Sequence, residues 1–294
     1  AGRLGIKVDL EAFDRIGRET PVLVDLKPSG QHYMQHLQDA GGLVAVLREL
    51  RPLLHLDCLT VSGRTLGEEI DAAPPPWPQD VVRPLDDPIY PQGGIAVLRG
   101  NLAPDGAIVK QSAASEHLMT HTGRAVVFED QEDLVARIDD PDLDVHADDV
   151  LVMRNAGPKG APGMPESGYI PIPRKLAAAG VKDMLRMSDA RMSGTAFGSI
   201  VLHITPESAV GGPLALVENG DRIRLDVPNR TLDLLVDDGE LARRRAAWTP
   251  PAPHARSERG YLKLYLDHAS QAGDGVDFDF LTKAPDGRTT PVIS

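Results

Sequence analysis

A short loop-forming segment carries the clearest chemical signal in this 294-residue chain, because it ends in a single carboxylate. Residues 154–166 read RNAGPKGAPGMPE, in which glycine and proline recur and Glu166 is the last residue. Glycine and proline at this density exclude a regular helix or a central strand, so the segment is predicted to be an ordered loop. Such a loop can hold one carboxylate still for a metal ion or a proton. The competing interpretation is a surface carboxylate beside a turn.

A second segment, about thirty residues later, places a serine where its hydroxyl can be closely approached. Residues 188–195 read SDARMSGT, so that Ser193 precedes Gly194 within a run of small residues. The two segments together indicate an active-site face. Ser193 has a plainer interpretation as a turn or helix-cap residue, and Thr195 as a helix cap.

Three other residues give weaker signals. Lys110 follows an apolar run and could face the same site, although a lysine at a strand end is more often solvated. His117 and His121 have the i, i+4 spacing of a helical metal site, but no third ligand lies nearby in the sequence, so we do not expect a metal there.

Composition limits the class of protein. The formal net charge is -12 and no basic run is present, which argues against a nucleic-acid partner. Cys58 is the only cysteine; it can form neither an internal disulfide nor an iron–sulfur cluster alone, and its apolar setting predicts a buried thiol. No apolar run is long enough for a membrane span, and the first residues lack a signal-peptide core. We therefore expect a cytoplasmic protein without a membrane partner.

The domains that position these segments can be predicted from changes in pattern. Residues 1–72 are expected to be the C-terminal part of a larger α/β domain. Residues 73–88 contain three consecutive prolines, which favour an extended linker. Residues 89–245 contain short apolar runs at regular spacing, typical of a β-barrel or sandwich. Residues 246–294 are predicted to form a C-terminal helix and a loose tail.

Periodicity also predicts individual elements. Strands are expected near residues 20–25, 95–101, 107–110, 124–129, 149–154, 199–204, 222–227 and 231–236. Helices are expected at residues 43–50, from residue 66, and at 131–138, 173–180, 207–217 and 261–269.

Several ordered motifs resemble the dihydroxy-acid and sugar-acid dehydratases, a family that includes dihydroxyacid, phosphogluconate and pentonate dehydratases. The likeness runs through nearly the whole chain, over residues 24–30, 60–66, 100–106, 154–166, 188–195, 211–215 and 277–281. The pentonate-type members are the most similar. The resemblance implies a β-barrel with surrounding helices, related in shape to the swivelling domain of aconitase-like enzymes.

The resemblance also implies roles for the candidate residues. The family's matching glutamate coordinates Mg2+, which assigns that role to Glu166. The matching serine is the proposed general base, acting as an alkoxide, which assigns that role to Ser193. Because a serine hydroxyl is a poor base in water, this role needs a strong local field from a metal or from amide dipoles at a helix start. Thr195 matches the position that holds the substrate carboxylate or hydroxyl.

Family members are roughly twice as long as this chain, and their N-terminal half supplies the cysteines of a [2Fe-2S] cluster and further Mg2+ ligands. The chain is therefore expected to be the C-terminal half of a dehydratase that converts a 2,3-dihydroxy sugar acid to a 2-keto-3-deoxy acid. By the same resemblance it is expected to form a homodimer or homotetramer. A branched-chain dihydroxyacid dehydratase and a truncated, inactive fragment are the alternatives.

Overall fold

A computed structural model of the protein describes residues 1–75 and 77–282. The chain forms two compact units. One combines Ala1–Asp14 with the residues from Ile95 onward, and the other is Arg15–Gly94. The domain boundaries that we drew from composition stay a prediction, and the tail from residue 283 lies outside the described residues.

Eight strands of the first unit form a closed β-barrel, which confirms the predicted mainly β domain with surrounding helices. The strands are β1 (Ala96–Gly100), β2 (Ala103–Val109), β3 (Thr120–Phe128), β4 (Val150–Met153), β5 (Arg186–Ser188), β6 (Ile200–Thr205), β7 (Arg222–Asp226) and β8 (Thr231–Leu234). Around the barrel the strand order is β1-β2-β6-β5-β4-β3-β7-β8, and the parallel pair of β8 and β1 closes it.

The barrel combines antiparallel hairpins with a parallel region. The pairs β3–β4, β4–β5, β5–β6 and β8–β1 are parallel, whereas the pairs β1–β2, β2–β6, β3–β7 and β7–β8 are antiparallel. Parallel neighbours need a crossover connection. The helices are α1 (Leu10–Glu19), α2 (Met34–Asp39), α3 (Gly42–Glu49), α4 (Leu66–Ala72), α5 (Gln131–Arg137), α6 (Arg174–Ala178), α7 (Asp238–Ala247) and α8 (Gly260–His268); α5 and α6 lie in the two crossovers before β4 and β5.

Strand β4 and the last four residues of β3 are buried on both faces, because alternate side chains enter two different cores. Val150 and Val152 pack with the aliphatic side chains that fill the barrel. Leu151 and Met153 pack outward with Leu134 of α5 in a second core. The apolar run at residues 150–153 is the sequence signature of this double burial.

Seven of the eight barrel strands coincide with the predicted runs, and β5 was not predicted. The predicted helix at residues 207–217 is wrong. Two 3-10 turns, Ser208–Val210 and Pro213–Leu216, occupy that segment. They are separated because Gly211 adopts a left-handed conformation with φ of 82° and Pro213 has no amide proton to donate.

The second unit is helical with isolated β-bridges. Helices α2, α3 and α4 lie here, and α3 and α4 confirm two predicted helices. The strand predicted at residues 20–25 does not form. Val22 and Val24 each make one isolated bridge, to Tyr90 and Val82, and neither bridge extends into a ladder. Cys58 is exposed, contrary to the prediction, since it lies in a turn rather than in the small core around Val82. In the described part of the chain no helix is both long and apolar enough to cross a membrane.

Candidate active site

Strand order brings the two chemically informative segments to one edge of the barrel. The loop with Glu166 leaves the carboxyl end of β4, and the segment with Ser193 leaves the carboxyl end of β5. These strands are parallel neighbours, with Met153 opposite Ser188. Since the carboxyl ends of adjacent parallel strands meet at the same edge, their loops are neighbours. We call residues 154–168 the carboxylate loop and residues 189–198 the serine loop.

A buried carboxylate organises the start of the carboxylate loop. The Glu207 side chain is 1% exposed and accepts hydrogen bonds from the backbone amides of Lys159, at 2.8 Å, and Gly160, at 2.9 Å. Position 160 has no room for a side chain, because a Cβ there would lie 2.5 Å from the carbonyl carbon of Asn155. The loop therefore folds back tightly on itself around Glu207.

The C-terminal region holds the same loop from another side. The Gln271 amide donates to Glu207 Oε1 at 2.7 Å, and the Glu207 backbone amide donates to Gln271 Oε1 at 2.9 Å. His254 Nε2 lies 3.0 Å from the Lys159 carbonyl oxygen, and the Lys159 ammonium donates to the Leu266 carbonyl at the end of α8. Lys159 of the loop is thus held by partners 48 to 107 residues away along the chain.

Asp189 joins the carboxylate loop to the serine loop. Its buried carboxylate accepts hydrogen bonds from the Ala156 amide at 3.0 Å and from the Ser208 amide and hydroxyl at 2.8 and 2.5 Å. Burial raises the pKa of Asp189, and these hydrogen bonds oppose the rise. Burial also raises the pKa of Glu207, to which the negative charge of Asp189 adds, while hydrogen bonds from Gly160 and Gln271 oppose it.

Arg191 is a second link between the loops and contacts Glu166 directly. Its guanidinium donates to Glu166 Oε1 at 2.9 Å and to the Met164 carbonyl at 2.5 Å. The Gly168 amide donates to the Arg191 carbonyl at 2.8 Å. The Glu166 side chain remains 48% exposed, so its carboxylate is held at the end of the loop and is open to a ligand.

Ser193 and Thr195 lie together in a turn. Their hydroxyl oxygens are 2.8 Å apart, and the Thr195 amide donates to Ser193 Oγ at 3.3 Å. The Ala196 amide closes the turn by donating to the Ser193 carbonyl at 3.1 Å. No helix begins here, so the helix-cap interpretation of both residues is wrong, as is the expected field from a helix start. Ser193 is half-buried and Thr195 is exposed.

Lys110 reaches the serine loop from the end of β2. Its ammonium donates to the Gly194 carbonyl at 2.8 Å, and burial lowers the pKa of this lysine. The two histidines do not share one helix. His117 lies in a 3-10 turn and His121 in β3, and in residues 1–75 and 77–282 no cluster of three His, Cys, Asp or Glu side chains could hold a metal.

Sequence reasoning missed the residues that join the two loops. Asp189 and Arg191 stand within the SDAR motif, so only their roles were unforeseen. Glu207 had no signal, since a lone glutamate between a strand and a turn is unremarkable in the sequence. His203, which we did not select as a candidate, is half-buried in β6 with φ of 55°, and burial and the nearby Arg191 charge lower its pKa.

Comparison with known proteins identifies relatives over nearly the whole chain. The C-terminal family model of the dihydroxy-acid/6-phosphogluconate dehydratases matches residues 80–276, and the N-terminal model matches residues 1–69. An L-arabinonate dehydratase of Rhizobium leguminosarum bv. trifolii is 52% identical over 96% of this chain and 48% of the relative. A 6-deoxy-6-sulfo-D-gluconate dehydratase of Pseudomonas putida is 51% identical over 96% of this chain and 48% of the relative.

A dihydroxy-acid dehydratase of Methanothrix thermoacetophila is 45% identical over 94% of this chain and 50% of the relative. The chain thus spans about half the length of the curated relatives it matches.

Proposed function

This chain belongs to the dihydroxy-acid/6-phosphogluconate dehydratase family, and on that premise we propose that it is the C-terminal half of a hydro-lyase. The reaction removes water from a 2,3-dihydroxy sugar acid and yields a 2-keto-3-deoxy acid. The observation that supports this best is the pair of linked loops at one edge of the barrel. Asp189 and Arg191 tie the segment of Ser193 to the loop of Glu166, so a base and a carboxylate can act on one substrate.

In the proposed mechanism Ser193 is the general base. As an alkoxide it takes the proton from C2 of the substrate, and the electron pair of that C–H bond forms the C2–C3 double bond. The C3–O bond breaks, and the hydroxide leaves as water after it takes up the proton that Ser193 removed from C2, which restores the alkoxide. The resulting enol tautomerises to the 2-keto acid. Thr195, whose hydroxyl is 2.8 Å from Ser193 Oγ, is placed to orient a substrate carboxylate or hydroxyl.

Glu166 fits the requirements of a Mg2+ ligand. Mg2+ prefers oxygen donors and commonly takes only one or two carboxylates, and Glu166 offers one carboxylate that is half-exposed on an ordered loop. The remaining ligands are expected from the half of the protein outside this chain. When bound, Mg2+ would stabilise negative charge on the substrate carboxylate and C2 oxygen as the proton leaves.

This chain does not supply the ligands of a [2Fe-2S] cluster. Cys58 is its only cysteine and is exposed, whereas such clusters are held by several thiolates or by thiolates together with histidines. We assign the cluster expected for the family to the other half of the protein, where it would act as a Lewis acid on the departing C3 hydroxyl.

A sugar acid is the preferred substrate class. Two relatives above 50% identity are named for sugar acids, and one at 45% is named for a dihydroxy acid. The groups around the serine loop are also polar: the Thr195 hydroxyl, the Lys110 ammonium and the Arg191 guanidinium. A branched-chain dihydroxy acid is the second candidate, which the 45% relative supports. We further expect a homo-oligomer that works in the cytoplasm.

Assay of the complete protein that contains this chain tests the proposal. Release of 2-keto-3-deoxy acids from pentonates and hexonates is measured in parallel with keto-acid release from a branched-chain 2,3-dihydroxy acid. We expect higher kcat/KM on a sugar acid. Preference for the branched-chain substrate would replace the sugar-acid assignment, and absence of both activities in cluster- and Mg2+-loaded protein would refute the hydro-lyase proposal.

The metal role of Glu166 has its own test. In Glu166→Gln we expect weaker Mn2+ binding, read by the electron paramagnetic resonance of free Mn2+, because the amide has no negative charge. Glu132→Gln, on the exposed side of α5, is the matched control and should bind Mn2+ like the wild type. Equal Mn2+ affinity in both variants would remove Glu166 from the ligand set.

A further inference from the structure

The position of Lys110 is unusual for a strand-end lysine. It directly follows β2, and its ammonium turns towards the serine loop and donates to the Gly194 carbonyl at 2.8 Å. The two residues are 84 positions apart in the sequence. Strand β2 is hydrogen-bonded to β6, with Val109 opposite Val201, and Gly194 lies in the connection between β5 and β6. The hydrogen bond from Lys110 to Gly194 therefore links the end of β2 to that connection.

This ammonium is partly desolvated without a compensating anion. Burial lowers the pKa of Lys110, and over residues 1–75 and 77–282 no carboxylate is paired with it. Burying a cation without a counter-charge costs free energy, and the hydrogen bond to the Gly194 carbonyl offsets part of that cost. Lys175 provides a contrast: it is exposed, and its ammonium donates to the carbonyls of Pro141 and Leu143.

The turn that Lys110 contacts has little packing of its own. A Cβ built on Gly194 would meet no atom within 4 Å. The hydrogen bonds between Ser193, Thr195 and Ala196 are local to the turn and do not tie it to the barrel. The Lys110 ammonium, which follows β2, donates to the Gly194 carbonyl between Ser193 and Thr195. This hydrogen bond is therefore expected to restrict the orientation of both hydroxyls.

We propose that Lys110 is a positioning residue for Ser193, holding the Ser193–Thr195 turn through the Gly194 carbonyl. The inference rests on the proposed function, because it gives the turn a role in catalysis. Lys110 acts through the turn and needs no contact with the substrate. Loss of the ammonium should therefore reduce turnover more than substrate binding, since the misplacement of a reacting group by about 1 Å can cost on the order of a hundredfold in rate.

The test uses the complete protein with Lys110→Met, Lys110→Arg and the control Lys175→Met. In Lys110→Met we expect kcat to fall by about ten- to a hundredfold with KM changed less than about threefold. Lys110→Arg keeps a cationic donor and should recover part of kcat. Lys175→Met should resemble the wild type. A fall in melting temperature without a kcat effect, or no recovery in Lys110→Arg, would overturn the positioning role.

A second measurement separates this inference from the proposed function. Hydrogen exchange of the backbone amides of residues 193–198, followed by mass spectrometry, needs no activity. We expect faster exchange in Lys110→Met and unchanged exchange in Lys175→Met. If the wild type is active and Lys110→Met matches it in exchange or in kcat, the Lys110 inference fails alone. If the wild type is inactive on every substrate, the hydro-lyase proposal fails, and exchange still decides whether Lys110 holds the turn.

Discussion

The carboxylate loop and the serine loop lie side by side but are built differently. The carboxylate loop wraps around the buried Glu207 carboxylate and has a glycine at residue 160 with no space for a side chain. The serine loop begins with the buried Asp189, and then its residues from Arg191 to Thr195 are exposed or half-buried. The start of the carboxylate loop is therefore part of the folded core, whereas the middle of the serine loop is a surface turn.

Because the two loops differ in burial, we expect their residues to contribute differently to the stability of the fold and to activity. Glu207 and Asp189 are buried carboxylates whose hydrogen bonds offset their desolvation, so replacing them leaves backbone amides without partners. Ser193 makes only local hydrogen bonds, so removing its hydroxyl costs the fold little. We therefore expect changes at the buried contacts of Glu207, Asp189 and Gly160 to unfold the protein more easily, and changes at Ser193 and Thr195 to affect the reaction alone.

The largest expected effect on the reaction is that of Ser193→Ala. Loss of the proposed general base should reduce kcat by about 10²–10⁴-fold, while the melting temperature stays within about 1 °C of the wild type. Steady-state kinetics and thermal unfolding of the complete protein measure the two quantities. A variant with wild-type kcat would end the assignment of Ser193 as the base, and a large drop in melting temperature would erase the contrast between the loops.

Gly160→Ala should have the largest effect on stability in this region. Its Cβ would lie 2.5 Å from a backbone carbon of Asn155, which is too rigid to move aside. We expect a loss of about 2–3 kcal/mol in unfolding free energy, seen as an earlier midpoint in denaturant. A midpoint equal to that of the wild type would mean that the loop has more freedom than its packing indicates.

Glu207→Gln tests the buried anchor of the carboxylate loop. The amide group has one acceptor oxygen in place of two, so at least one of the amides of Lys159 and Gly160 or the Gln271 side chain loses its acceptor. We expect a loss of about 1–3 kcal/mol. Glu132→Gln, on the surface of α5, is the matched control and should unfold with the wild type.

The pH dependence of stability should reflect the raised pKa of Glu207. The pKa of Glu207 is raised in the folded protein above its ordinary value of 4.5, because the site is buried. The stability linked to this shift is fully present below pH 4.5 and is lost as the pH rises through the folded-state pKa. The melting temperature of the wild type relative to Glu207→Gln should therefore fall as the pH rises above 4.5. A difference that is constant with pH would contradict the raised pKa.

The smallest expected effect is that of Gly194→Ala, which is the counterpart of Gly160→Ala in the serine loop. A Cβ at position 194 meets nothing within 4 Å, and the residue does not have a positive φ. We expect a change in unfolding free energy within about 0.5 kcal/mol. A destabilisation as large as that of Gly160→Ala would show that the two loops are equally constrained.

Much of the barrel could be predicted, because its strands carry local patterns. The run at residues 150–153 is apolar on both faces, and the run at residues 222–227 alternates, as expected for strands with two buried faces or one. Strand β5 escaped prediction because it has only three residues, of which Arg186 and Ser188 are polar but buried. Arg186 pairs with Asp183 at 2.8 Å, a neutralisation that periodicity does not reveal.

The candidate site was only partly visible in the sequence. Glu166, Ser193 and Thr195 were predicted from loop composition and family motifs, and their catalytic roles stay predictions. Lys110 was left open between the site and solvent, and the structure places it on the serine loop. The helix-cap interpretation of Ser193 and Thr195 was wrong, because a cap needs a helix and the chain after Thr195 makes a turn.

The sequence alone determined the family, the density of glycine and proline that makes residues 154–166 a loop, and the strand-forming runs of the barrel. These are properties of short stretches, set by backbone sterics and by the alternation of side chains. Three contacts became visible only in the folded structure: Glu207 organises the carboxylate loop, Asp189 joins the two loops and Lys110 reaches Gly194. Those contacts connect residues 33 to 84 positions apart, and the order of strands around the closed barrel brings them together.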